Sequence, residues 1–235
     1  FDMEVTTRLS FRDENSEKWA GDLEIWEKAQ KELKEVADEM GLNYTTGIGE
    51  ASFYGPKIDF IVKDAIGRKW QLGTVQVDYV MPERFELDYT DADNQKKRPV
   101  IIHRAPFGSM ERFMSILIEH YAGNFPVWIA PIQAMILPIS DKQIEYAKKL
   151  EDEFTQAGYR VQIDNRSEKI NRKIADAETK KIQIQFIVGQ KEVDSESISL
   201  RIHGKGDLGK KSIEEVMELL AKLNVPGSSI EKVLG

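Results

Sequence analysis

Arg98-Pro-Val-Ile-Ile-His-Arg-Ala-Pro-Phe-Gly-Ser-Met-Glu-Arg-Phe113 decides the reading of this chain. Val100 to Ile102 is a short, apolar, β-branched run, which predicts a buried strand. Gly108 marks a sharp turn, and Ser109 is a good N-cap for a helix. Met110, Phe113, Met114, Leu117, Ile118 and Tyr121 then recur at helical spacing and predict one core face. Two residues resist a purely structural account. Arg112 falls in the first helical turn, where the macrodipole disfavours a cation by roughly 0.3–1 kcal/mol. His103 interrupts an otherwise apolar strand. Either alone has a bland explanation, a hydrogen-bonded core histidine or a salt-bridged arginine. Together they point to a site at the strand's C-terminal end, where an arginine can stack on a base or hold phosphate oxygens.

Working backward, Lys69 to Tyr79 carries a parity break. Trp70 and Leu72 are apolar on even positions, whereas Val75, Val77 and Tyr79 are apolar on odd ones. One extra residue near Gly73 restores a single apolar face, so a bulge is expected there. The same slip sets Gln71, Thr74 and Gln76 together on the opposite face, beside His103 and Arg112. That uncharged row is either a solvated face or a surface for a small polar substrate. The strand pairs as a long hairpin with Ile58 to Lys63 across a turn at Ala65-Ile-Gly67. Further back, Met3 to Arg12 reads as a strand. Asp22 is the expected N-cap of a helix with Trp26, Ala29, Leu33, Val36, Ala37 and Met40 on its core face, closed by Gly41. Tyr44 to Glu50 reads as a polar glycine loop, too short in its Gly-x-Gly for a phosphate role.

Asp88 to Lys97 is a charged loop. Pro126 and Pro131 bracket a connector, and the domain boundary is placed there, giving residues 1–126 and 127–235. Beyond it, Ala134–Pro138, Tyr159–Ile163, Ile182–Val188 and Ser197–Ile202 read as strands. Helices are expected from Asp141, from Glu168 and from Ser212. This alternation predicts a mostly parallel sheet covered by helices. Arg166 to Lys181 holds six basic residues against three acidic ones, which is either a solvated helix face or a phosphate-contacting patch.

The 235 residues have a net charge of −7, 41% hydrophobic content and no cysteine. Disulfides and thiolate metal sites are thereby excluded, and indiscriminate nucleic-acid binding is disfavoured. A cytosolic setting is consistent with the missing cysteine. No apolar run approaches the roughly 20 residues of a membrane helix, and no membrane partner is expected. Phe1-Asp2-Met3 opens directly in a strand-like run, so the chain looks like a piece of something longer.

Phe53-Tyr-Gly-Pro-Lys-Ile-Asp59, Trp70-Gln-x-Gly-Thr-x-Gln76 and Ile102-His-Arg-Ala…Gly108-Ser-Met-Glu-Arg112 together resemble the threonyl-tRNA synthetase family of subclass IIa. The likeness runs across nearly the whole chain. It implies an α/β (α+β) protein: part of a class II antiparallel sheet with helices, followed by a three-layer α/β anticodon-binding domain. It implies threonine activation with ATP and Mg²⁺, then transfer to the terminal adenosine of threonine tRNA, by a cytoplasmic homodimer in the full-length enzyme. Gly108 to Arg112 matches class II motif 3, placing Arg112 against ATP and, with Lys57, in the chemistry. Tyr54, Gln71, Thr74, Gln76 and Ser109 match substrate-pocket positions, Gln71 and Thr74 also facing ATP. His103 matches one of three protein ligands of a Zn²⁺ ion that separates threonine from valine. Arg166, Lys169, Glu192 and Arg201 match the region that meets the anticodon, with Ser167 where the family pattern has asparagine. The sequence lacks motifs 1 and 2, the other two zinc ligands and an editing domain. It therefore reads as the C-terminal half of the enzyme, inactive alone. A non-catalytic tRNA-binding paralogue and a prolyl-type synthetase are the alternatives.

Overall fold

The parity break in Lys69–Asp78 is resolved as expected. In the computed structural model, which describes residues 1–15 and 17–235, chain contacts separate Asp2–His120 from Tyr121–Gly235 with Phe1. The first unit holds a five-stranded sheet of β1 (Val5–Phe11), β2 (Tyr44–Ile48), β3 (Lys57–Lys63), β4 (Lys69–Asp78) and β7 (Ile101–Ala105), in the order β2-β1-β3-β4-β7. A short hairpin of β5 (Tyr89–Thr90) and β6 (Lys96–Lys97) folds the charged loop back on itself. Only β1 and β2 run parallel; the other neighbours in the five-stranded sheet are antiparallel. Phe60 pairs with Gly73 but Ile61 pairs with Gln71, so Leu72 is the extra residue of a bulge. Beyond it Thr74 faces Asp59 and Gln76 faces both Lys57 and His103.

The apolar face of this sheet packs on α1 (Leu23–Glu39). Trp26, Ala29, Leu33 and Ala37 are its buried residues. Leu33 and Ala37 form a cluster with Leu9 and Ile58, joined by Phe11, Phe60 and Val77. Burying a side chain such as Leu33 contributes about 1.5–3 kcal/mol. Val36 and Met40, expected in the core, are 46% and 67% exposed, because the buried arc is only as wide as the sheet it covers. Asp22 does stand at the N-cap in extended conformation, without a side-chain capping bond.

Other expectations are corrected. The 44–50 stretch is not a loop: its first five residues form β2, an edge strand specified by pairing with β1 rather than by its own polar residues. The β7 strand is an edge strand as well, leaving Val100 and Ile102 exposed instead of buried. Helix α3 (Met110–His120) buries Phe113, Ile116 and Leu117, while Met110, Met114 and Ile118 lie exposed. The stacking of Phe107 on Phe113, with centroids 4.6 Å apart, turns the helix toward the 113/116/117 side.

In the second unit a five-stranded sheet has the order β12-β11-β10-β8-β9, with β8 (Ala134–Pro138), β9 (Val161–Ile163), β10 (Ile184–Val188), β11 (Ser197–Ile202) and β12 (Gly206–Ser212). The β9-β8-β10 half is parallel, and the β10-β11-β12 half is antiparallel. The expected mostly parallel sheet is thus only half so, because β12, a glycine- and lysine-rich strand, returns as a hairpin. Helices α4 (Ile144–Gln156) and α7 (Ile213–Leu223) share a core with one sheet face, centred on Leu150, Phe154, Ile136 and Phe186. Helix α5 (Ile170–Thr179) covers the other through Ala177, Met135 and Leu137. Ser212 caps α7 by accepting from the Glu215 N–H, with Glu215 bonding back. Two one-turn helices, α6 (Gln190–Asp194) and α8 (Ile230–Leu234), and a 3-10 turn at Asp141–Gln143 complete this unit. The chain is an α/β protein of these two sheets with their helices. No helix among the described residues is long and apolar enough to cross a membrane.

Candidate functional site

Because of the bulge, one face of the first sheet is polar. Asp59, with no exposed surface, is its hub. Its Oδ2 accepts from Ser10 Oγ at 2.6 Å, Arg8 Nη2 at 3.1 Å and the Lys57 ammonium. Its Oδ1 accepts from Gln71 Nε2 at 2.7 Å and Thr74 Oγ1 at 3.1 Å. Burial pushes the Asp59 carboxyl up, but the donors, led by Lys57 and Ser10, outweigh it and hold the group below the ordinary carboxylate range. The adjoining position belongs to Gln76, whose Oε1 accepts from the Tyr54 hydroxyl. Tyr54 in turn lies 5.1 Å, centroid to centroid, from the His103 ring. Gln71, Thr74 and Gln76 therefore do share one side with Lys57, Tyr54 and His103.

The Arg98–Phe113 turn locks onto the bulge. Gly108 adopts φ +62°, and a Cβ there would stand 3.0 Å from the Leu72 carbonyl oxygen. A Cβ on Gly73 would meet the Pro106 oxygen at 3.1 Å. Ser109 caps α3 by accepting the Arg112 N–H at 3.3 Å and donates to Glu111 at 2.7 Å. Arg112 reaches back to the bulge, its Nη1 donating to the Gln71 carbonyl at 3.2 Å. Its guanidinium lies 5.9 Å from the Trp70 ring, which also carries Arg68 at 5.5 Å. Arg112 thus meets the row through the backbone of Gln71. Among the described residues no side-chain-to-side-chain hydrogen bond joins it to the Asp59 network, so the sheet alone does not gather one continuous pocket.

His103 is held by Asp78, a buried carboxylate whose Oδ2 lies 2.8 Å from Nε2. The same carboxylate's Oδ1 accepts the Val80 and Met81 N–H groups, both at 2.9 Å, at the start of α2 (Val80–Arg84). A carboxylate accepts, so Nε2 is the nitrogen that donates to it, and Nδ1 is on the side of the ring turned away from Asp78. A ring oriented by a carboxylate with its other nitrogen open fits one metal-ligand position. The described residues hold no group of three His, Cys, Asp or Glu side chains able to hold a metal.

In the second unit, three of the four expected anticodon residues lie at the C-terminal ends of the parallel strands. Arg166 forks onto Asp164, with Nε–Oδ1 2.9 Å and Nη2–Oδ2 2.6 Å, and also reaches Asp176 at 2.8 Å. Lys169 is exposed at the N-cap of α5, and the two residues border a cleft of about 340 Å³. Glu192 bonds the Gly189 N–H at 2.8 Å after β10. Arg201 instead pairs with Gln185 near the start of β10, 3.4 Å from Glu178. The basic excess is smaller at the surface than the sequence suggests. Arg172 is salt-bridged to Asp176, and Lys173 is buried, donating to the Pro138 and Asp164 carbonyls, each at 3.0 Å. Asp59, Asp78, Arg8 and Ser10 were given no site role from sequence, Trp70 was read only as an apolar strand residue and Lys173 only as one of the basic run. The only signal was Lys57 and Asp59 on one parity of an otherwise apolar strand.

Comparison with known proteins agrees with this architecture. Residues 6–121 match the tRNA synthetase class II core domain (G, H, P, S and T), and residues 133–223 match an anticodon binding domain. The two matches define the class: a class II aminoacyl-tRNA synthetase core domain followed by an anticodon binding domain. A threonine–tRNA ligase of Pelodictyon phaeoclathratiforme is 59% identical over 96% of this chain and 34% of its own length. One from Chlorobium limicola is 60% identical over 93% of this chain and 34% of its own length. The RNA binding domain of threonyl-tRNA synthetase from Cryptosporidium parvum superposes with a TM-score of 0.85 at 33% identity, over 97% of this chain and 57% of that one. The chain belongs to the threonyl-tRNA synthetase family, and spans about a third of the length of the curated relatives it matches.

Proposed function

We propose that this chain is the part of a threonine–tRNA ligase that supplies half of the amino-acid activation site and the anticodon-binding domain. Residues 1–126 form the catalytic portion and 127–235 the tRNA-binding portion. The observation that carries the reading is the bulge at Leu72–Gly73, which lines Gln71, Thr74 and Gln76 beside Lys57 and His103. Tyr54, Gln71, Thr74, Gln76 and Ser109 contact threonine and its adenylate. Gln71, Thr74 and Arg112 face ATP, delivered with Mg²⁺. Arg112 and Lys57 offset the charge that develops as the threonine carboxylate attacks the α-phosphorus. Ser109 also caps α3, starting it with Arg112 in the first turn.

Among the described residues His103 would be the one protein ligand to zinc, through Nδ1. A zinc ion held there would supply Lewis-acid chemistry toward the substrate's amine and hydroxyl. A catalytic zinc takes about three protein ligands, so the chain alone does not retain the metal. Arg166, Lys169, Glu192 and Arg201 meet the anticodon loop. The full-length enzyme works as a homodimer in the cytoplasm.

The test replaces the matching segment of a full-length threonine–tRNA ligase with this chain and measures threonine-dependent ATP–pyrophosphate exchange. Activity is expected, and its loss in Lys57→Met and Gln76→Met with the fold intact. Exchange with proline and none with threonine overturns the reading.

A further inference from the structure

Two arginines share one aromatic ring and differ in what balances their charge. The Trp70 ring lies 5.5 Å from the Arg68 guanidinium and 5.9 Å from that of Arg112. Arg68 is neutralised twice, its Nε 2.5 Å from Asp64 Oδ2 and its Nη2 2.7 Å from Glu119 on α3. Arg112 is exposed, and among the described residues it has no acidic partner. Its guanidinium makes one hydrogen bond there, from Nη1 to the Gln71 carbonyl at 3.2 Å. A ring face and a carbonyl attract a guanidinium without cancelling its charge. Arg112 is thus held in place while that charge stays open to an incoming anion or base.

The ring itself is fixed. Trp70 Nε1 donates to Asp64 Oδ2 at 2.8 Å, and the Asp64 side chain has no exposed surface. Asp64 Oδ1 accepts the Ile66 and Arg68 N–H groups at 3.1 and 2.8 Å, which ties the carboxylate into the turn between β3 and β4. Tryptophan donates only through Nε1, so this one bond to a backbone-held acceptor sets the plane of the ring. Ring and carbonyl come from adjacent residues, Trp70 and Gln71, on one flank of the bulge.

We propose that Trp70 is a positioning residue: anchored by Asp64, its ring acts with the Gln71 carbonyl to aim the Arg112 guanidinium without neutralising it. This rests on the ATP role proposed for Arg112. A carboxylate in place of the ring would also orient Arg112, but it would cancel the charge that a triphosphate requires. Arg68 shows that other arrangement: paired with two carboxylates, it ties α3 to the β3–β4 turn.

The test is the KM for ATP in pyrophosphate exchange by the full-length ligase carrying this chain. Trp70→Leu should raise it about 3–30-fold, the range of an arginine–aromatic contact, and leave the KM for threonine within about twofold. Trp70→Phe, which keeps a ring but not the N–H, should fall between wild type and Trp70→Leu. In an Arg112→Ala background Trp70→Leu should cost no more than about twofold further. A fully additive loss, or an equal rise in both KM values, means that the ring only supports the fold and overturns the proposal. If Arg112→Ala raises the KM for ATP and Trp70→Leu does not, the positioning role alone is wrong. If Arg112→Ala leaves it unchanged, the ATP role of Arg112 is wrong and the proposal goes with it. Where Trp70→Leu fails to fold, the wild-type 235-residue chain decides. Nuclear Overhauser contacts between the Trp70 ring and the Arg112 side-chain protons are expected, and their absence overturns the proposal.

Discussion

Replacing Gly55 by alanine puts a methyl group where the Val77 carbonyl already stands. The ideal Cβ falls 1.8 Å from the Val77 oxygen and 3.0 Å from its carbon. Both atoms are backbone inside the sheet, so they cannot swing aside as a side chain would. The 52–56 loop must retreat by about 1.5 Å to approach ordinary van der Waals separation. That movement breaks the bond from the Val77 N–H to the Pro56 carbonyl, 3.2 Å, and strains the paired Ser52–Gly55 bonds of 3.1 and 3.2 Å. One or two lost backbone bonds at about 1 kcal/mol each, with some overpacking strain, give a destabilisation of about 2–4 kcal/mol. Urea unfolding followed by tryptophan fluorescence measures it, since Trp19, Trp26 and Trp70 all lie in this unit. Gly41→Ala is the control. Gly41 has φ +62° with nothing within 4 Å of a Cβ, so it costs only the left-handed backbone penalty of about 1 kcal/mol. Gly55→Ala no less stable than Gly41→Ala would refute the clash. The loop also carries Tyr54, so the substitution should loosen the Tyr54–Gln76 bond before the unit unfolds.

Asp64 supplies a pH test. Its burial raises its pKa, but the Trp70 indole, the Arg68 guanidinium and two backbone N–H groups bring it down to about 2. The folded pKa is the lower one, so its stabilisation is present above about pH 4 and is lost as pH falls toward 2; the stability gap between wild type and Asp64→Asn should close over that window, and a gap constant with pH counts against the network. The isolated chain should show no ATP–pyrophosphate exchange above background and no stoichiometric zinc after dialysis; either result positive ends the half-site reading. The segment from about Val127 should bind threonine tRNA weakly and with a steep salt dependence. Unchanged affinity in Lys169→Glu/Arg201→Glu at moderate salt, measured by filter binding, would make that surface a solvated face only.

The most informative features of the sequence were violations of a period. The bulge was legible because Trp70 and Leu72 contradict Val75 and Val77, and burying either set wrongly costs more than one ladder bond. The cap at Ser109 was legible because it is local. Non-local features were not. β2 is polar and becomes a strand only through β1, and β12 only through β11. The buried side of α3 was misjudged because its period admits neighbouring stripes, and Phe107 chooses between them. Asp59 and Asp78 stayed hidden for another reason. A single acid in a strand looks the same whether it is solvated or surrounded by donors arriving from three strands.

The extra residue in β4 also sets what kind of change this chain can absorb. Either flank of Leu72–Gly73 is an ordinary strand in which one apolar residue substitutes readily for another. The phase between the flanks, however, is stored in a residue count. Removing one residue there would leave composition and hydropathy almost untouched and still turn Gln71 away from Asp59. Gene lineages carrying this segment should therefore vary in letters at positions 70–77 but not in length, and an insertion or deletion there should be lethal to the face even where every neighbouring substitution is mild.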